Sequence, residues 1–146
     1  MATTRFFLCL NCGDQYPAYN MLDSLKAVAT SRSVPCSKCK RQLQLHLEFP
    51  FAFDATGGQC TVKDAFMLDD PPKWTDSKGQ IVTYCPFLVI TETSGNEMSA
   101  WLPYWHIVEG SEKKKDKYGQ WAPLMDLTTF EELLKKAKAK GYLSSL

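Results

Sequence analysis

The chain has 146 residues, enough for one domain or two small lobes sharing a core. Its 45% hydrophobic and 12% aromatic content exclude a disordered chain. A net charge of +1 and a pI near 7.6 exclude the overall basic character typical of a nucleic-acid domain. That balance hides an uneven layout, with residues 1–47 at +4, residues 48–112 at −7 and residues 113–146 at +4. Basic ends hint at polyanion contact, although solvated surface charge accounts for them equally. No basic segment followed by an apolar run opens the sequence, so no signal peptide is expected. No stretch approaches the roughly 20 apolar residues of a membrane span. Six cysteines in such a chain imply a reducing, cytoplasmic setting with free or metal-bound thiols.

In chain order, Arg5 to Leu10 reads as a short strand leading into Cys9-Leu10-Asn11-Cys12. Asn20 suits an N-cap for a helix through about Ala29, with Met21, Leu22, Leu25, Val28 and Ala29 on one face. Thr30 to Ser33 breaks it, and Pro35 leads into Cys36-Ser37-Lys38-Cys39. From Leu43 to Phe53 every odd position is apolar, which predicts a long half-buried strand with a bend at Pro50. Gly57-Gly58 predicts a turn into a second strand over about Cys60 to Met67. Asp69 to Gly79 reads as a loop holding Trp74. Ile81 to Thr93 reads as a strand, central in its second half and bent near Pro86. Ser94-Gly95-Asn96 turns it, and Met98 to Val108 returns as a partner interrupted by Pro103. Glu109 to Gln120 is a lysine-rich loop. Thr128 and Glu131 fit a capping box for a final helix, with Phe130, Leu133, Leu134 and Ala137 as its stripe and Gly141 beyond its end.

Two C-x-x-C pairs separated by 23 residues supply four sulfurs from two hairpins. They form a closed tetrahedral set with no position left for water, which suits a structural ion better than a catalytic one. Cys9-Leu10-Asn11-Cys12-Gly13-Asp14-Gln15-Tyr16 and Pro35-Cys36-Ser37-Lys38-Cys39 resemble the two knuckles of rubredoxin-like and zinc-ribbon domains. The resemblance covers the first third of the chain. It implies a small β-ribbon with Cys9, Cys12, Cys36 and Cys39 as ligands. Lys40 stands where that family usually has glycine, and Ser37 stands where proline is common. These departures weigh against the iron-binding, electron-carrying version. Zinc is the expected metal, with iron and a metal-free thiol role as alternatives.

Other residues carry weaker signals. His46 fits a surface histidine or a donor to a thiolate. His106 fits a packed strand residue or a general base. Cys60 and Cys85 fit buried thiols. Asp69-Asp70, followed by two prolines, fits an exposed loop rather than a magnesium site. No phosphate loop, nucleophile elbow or H-E-x-x-H is present, so no catalytic residue is assigned.

The expected fold is α+β: an N-terminal zinc ribbon with an inserted helix (residues 1–47) on a mostly antiparallel β-sheet lobe with a C-terminal helix (residues 48–146). The expected function is a non-enzymatic, zinc-stabilised recognition module for nucleic acid or a protein partner. Arg5, Lys26, Arg32, Lys38, Lys40 and Arg41 would supply charge, and Trp101, Trp105 and Trp121 contact area. The rivals are a protein–protein adaptor that touches no nucleic acid and an enzyme with a site in the C-terminal lobe. Neither a membrane nor a small-molecule substrate is indicated.

Overall fold

The computed structural model describes residues 4–18, 20–30, 34–48, 59–93, 98–110, 117–118, 124–141 and 143. They form a mostly antiparallel β-sheet with two short helices, an α+β arrangement. In chain order come β1 (Thr4–Leu8), β2 (Gln15–Pro17), α1 (Met21–Ala29), β3 (Gln44–Glu48), β4 (Gln59–Met67), β5 (Lys73–Thr75) and β6 (Ile81–Thr93). Then follow β7 (Met98–Trp101), β8 (Tyr104–Val108), β9 (Lys117–Tyr118), β10 (Leu124–Asp126) and α2 (Leu127–Ala139). The main sheet runs β10-β7-β6-β4-β3-β1-β2. β5 and β8 pair with the first half of β6, and β9 pairs with β8.

The helix α1 forms where its caps and stripe predict. The Asn20 side chain accepts from the Asp23 N–H at 3.0 Å, and the Thr30 N–H closes the far end on Lys26 O. Leu22 and Leu25 point into the core against Leu45, Leu47, Cys60, Val62, Ala65, Phe87, Val89 and Trp101. Phe7 opposes Leu45, and Leu47 opposes Cys60, so one face of β1, β3 and β4 meets the helix. Fully burying a side chain such as Leu25 contributes about 1.5–3 kcal/mol.

The strand β6 extends through Pro86 because of where that residue sits. The Tyr84 N–H bonds Pro72 O on one side, and the Phe87 N–H bonds Pro103 O on the other. Pro86 therefore turns its missing donor toward the side where β4 has ended at Met67 and β5 begins at Lys73. No ladder bond is lost there. Pro103 likewise separates β7 from β8 without shifting register, since Val89↔Trp101 and Pro86↔Tyr104 lie on one continuous pairing line.

Several boundaries differ from the sequence pattern. Of the strand expected over 43–53, the described part is β3, and residues 49–53 lie outside the described residues. The turns at 57–58 and 94–96 also lie outside them. The expected loop around Trp74 contains β5, and the lysine-rich loop contains β9. Both are two or three residues long and gain their order from a neighbouring strand. In α2, Thr128 lies inside the first turn rather than before it, while Gly141 adopts φ 88° and donates to Lys138 O. Among the described residues no helix is long and apolar enough to cross a membrane.

Candidate metal centre

The two cysteine pairs fold into matching hairpins. In the first, the Gly13 N–H bonds Cys9 O at 2.8 Å and the Cys9 N–H bonds Asp14 O at 2.9 Å. In the second, the Lys40 N–H bonds Cys36 O at 3.0 Å and the Cys36 N–H bonds Arg41 O at 2.8 Å. Each turn needs a left-handed residue just after its second cysteine. Gly13 fills that role at φ 78° and Lys40 fills it at φ 63°. Lys40 is the lone non-glycine with positive φ among the described residues, so the second hairpin holds a strained backbone where the first does not. β1 leads into the first hairpin, and β3 leaves the second. Antiparallel pairing of β1 with β3 therefore sets the two hairpins side by side.

The ligand atoms of Cys9, Cys12, Cys36 and Cys39 all lie within 4.8 Å of one another. Across the hairpins, Cys9 Sγ is 3.4 Å from Cys39 Sγ, and Cys12 Sγ is 3.6 Å from Cys36 Sγ. Sulfurs at the corners of a zinc tetrahedron, with Zn–S about 2.3 Å, stand about 3.8 Å apart. All six cysteines are free thiols, and these four converge as a metal ion requires. Cys9 and Cys36 are buried, Cys39 half-buried and Cys12 exposed. Leu43, Phe7, Tyr16 and Val34 pack round them as a small apolar cluster.

The backbone prepares two of the sulfurs for charge. The Cys39 N–H, helped by the Tyr16 hydroxyl, lowers the Cys36 thiol to about 6. The Cys12 N–H lowers the Cys9 thiol below its ordinary range. Cys12 moves the other way: the Asp14 N–H pulls its thiol down, but contact with Cys9, burial and the Cys36 charge raise it to about 12. Four thiolates this close repel one another, and a bound dication is the counter-charge that allows all four to ionise. The donor set fits a soft or borderline metal held by four sulfurs.

The candidate contact residues scatter. Lys38, Lys40 and Arg41 share the second hairpin and are exposed or nearly so, with Lys38 paired to Asp14 at 3.0 Å. Arg5 on β1 and Lys26 on α1 are half-buried. Arg32 and Trp121 lie outside the described residues. Trp101 and Trp105 are 1% and 6% exposed, so they fill the core and offer no contact surface. Their bulk explains this, since each faces the interior from a strand paired with β6. A different group of aromatic side chains reaches the surface on β5, β6 and β8. Trp74, Tyr84 and Tyr104 gather round His106, with ring centroids 5.4–5.9 Å from it. Register places Tyr84 opposite His106 and Tyr104 opposite Pro86, which a sequence reading shows only once the pairing is known.

His46 is stacked on Phe6 at 4.8 Å, opposite it in the β1–β3 pair, and its Nδ1 is buried without a hydrogen-bond partner. Burial holds it below the usual histidine range. Cys60 and Cys85 are 1% and 2% exposed, and burial pushes the Cys85 thiol up, the reverse of an activated nucleophile. Tyr16 is the residue that sequence reasoning passed over. Its hydroxyl lies 3.3 Å from Cys36 Sγ and 2.8 Å from Ser37 Oγ. Its position four residues after Cys12 was visible, but its partners lie about twenty residues further along.

Compared with known proteins, the chain matches no family model, no curated protein and no solved structure. Fold and site alone therefore define its class: an antiparallel-sheet protein with a four-cysteine cluster able to hold a metal ion.

Proposed function

We propose that the chain is a non-enzymatic recognition module whose N-terminal third is a zinc ribbon with an inserted helix. In this reading residues 1–47 form the ribbon, residues 48–146 form the sheet lobe, and zinc rather than iron is the resident metal. The ion supplies structure by fixing two hairpins, and the second hairpin presents Lys40 and Arg41 to a polyanion, single-stranded nucleic acid first. One observation carries the reading. Lys40 occupies a left-handed position that glycine fills at no steric cost in the matching hairpin, so a basic side chain is held there against strain. A protein partner is the second reading, favoured by the exposed Leu10 at the first hairpin and by Trp74 and Ile81 on β5 and β6.

Metal analysis of untagged protein is expected to give one zinc per chain and a colourless solution. Iron would show as a red solution and overturn the assignment. Anisotropy of a labelled single-stranded oligonucleotide at two salt concentrations tests the partner. Binding should weaken with added salt, with a slope of about −0.7 per phosphate contacted. Lys40→Glu with Arg41→Glu should reduce affinity at least ~10-fold at low salt. No binding, or binding indifferent to salt, rejects nucleic acid and leaves the protein adaptor.

A further inference from the structure

The Tyr16 hydroxyl bridges the two cysteine hairpins. Tyr16 follows the first hairpin on β2, while its contacts, Cys36 Sγ at 3.3 Å and Ser37 Oγ at 2.8 Å, belong to the second. Asp14 Oδ2 is 3.5 Å away, too long for a strong bond, and is already engaged by Lys38 at 3.0 Å. A phenol has one proton to give. The Ser37 hydroxyl can donate to the Tyr16 oxygen, which frees the Tyr16 proton for a sulfur. A metal-bound thiolate accepts and never donates, so metal binding fixes the direction of this chain: Ser37 to Tyr16 to Cys36. The ring meanwhile packs in the small cluster of Cys9, Cys36 and Leu43, which holds the hydroxyl in place.

We propose that Tyr16 is a positioning residue for the metal, donating its hydroxyl proton to the Cys36 sulfur and so tying the second cysteine pair to the first. This rests on the metal-centre reading above. A charge-assisted O–H···S bond lowers the negative charge left on a four-thiolate site and restrains one ligand in its bound rotamer. The Asp14–Lys38 pair makes a second tie between the same hairpins, but at the exposed rim, where it contributes little. The phenol is the tie that touches a ligand atom.

Tyr16→Phe keeps the ring and removes only the hydroxyl. The full chain, wild type and variant, is titrated with Zn2+ against a chelator and, separately, with Co2+ while its sulfur-to-metal charge-transfer band is recorded. Tyr16→Phe should bind Zn2+ 10–100-fold more weakly. Its Co2+ band should move to lower energy, because a thiolate without its donor gives up charge more readily. Ser37→Ala should move both readouts in the same direction by less. Circular dichroism of the zinc-loaded proteins should be unchanged. Equal affinity and an unshifted band overturn the proposal. Weaker affinity with an unshifted band also overturns it, since that marks a packing role. A wild-type chain that binds neither ion overturns the metal-centre reading itself, a result distinct from either of these.

Discussion

At the scale of the single residue, the four converging cysteines were legible because C-x-x-C spacing is a local signal that needs no knowledge of the fold. The strain at Lys40 was half legible. Its departure from glycine could be read from the resemblance, but its φ of 63° depends on the turn actually closing. A non-glycine residue in that region costs about 1–2 kcal/mol, partly offset in a glycine variant by greater freedom of the unfolded chain. Lys40→Gly should therefore stabilise the metal-loaded protein by ~0.5–1 kcal/mol in urea unfolding, while weakening any polyanion binding. An unchanged or lower midpoint would deny the strain. His46 gives a pH effect of definite sign. Its folded-state pKa is depressed, so the unfolded chain takes up the proton more readily. The stability it contributes is complete above the unfolded value near 6.5 and is lost as pH falls through the lower folded value. Between pH 7.5 and 5.5 the melting temperature of wild type should drop further than that of His46→Phe. Comparing the two drops cancels whatever acid does to the cysteines, and equal drops would count against the assignment.

At the scale of the element, length decided what could be read. The helix α1 was legible because its nine residues carry a helical apolar stripe, and strand β6 because its thirteen residues hold a strongly apolar run. β5, β9 and β10 are two or three residues long, and Lys73-Trp74-Thr75 has no pattern to mark it. Such strands exist because a partner's backbone groups are waiting, which is non-local information. The same gap misplaced Trp101 and Trp105 as contact residues: both faces of that segment are aromatic or apolar, and only register with β6 says which side is inward. The α1 contact with the sheet should be stability-limiting. Leu25 is 0% exposed and packs within the main cluster, so Leu25→Ala should cost about 2–5 kcal/mol in denaturant unfolding. A loss under 1 kcal/mol would mean that the helix is dispensable to the core.

At the scale of the whole molecule, the described residues form two apolar clusters of unequal size that share Phe7. The larger joins α1 to β3, β4, β6, β7 and β8 through residues such as Leu45, Val62, Val89 and Trp101. Among the described residues the smaller buries only Cys9, Cys36 and Leu43, too little apolar area to hold two hairpins without a metal staple. A structural zinc bound by these four cysteines would supply roughly 10–16 kcal/mol there, so its removal should act on one end first. Under chelation, amide exchange should accelerate across residues 9–16 and 34–43, while the amides of β4 and β6 stay protected. Cys36→Ser should reproduce that pattern without chelator, because three sulfurs leave the second hairpin held by one side chain. β1 and β3 would respond in between, since their pairing joins both clusters. Loss of protection throughout the sheet would mean that the ion supports the whole fold, and unchanged exchange in the hairpins would mean that it supports neither cluster.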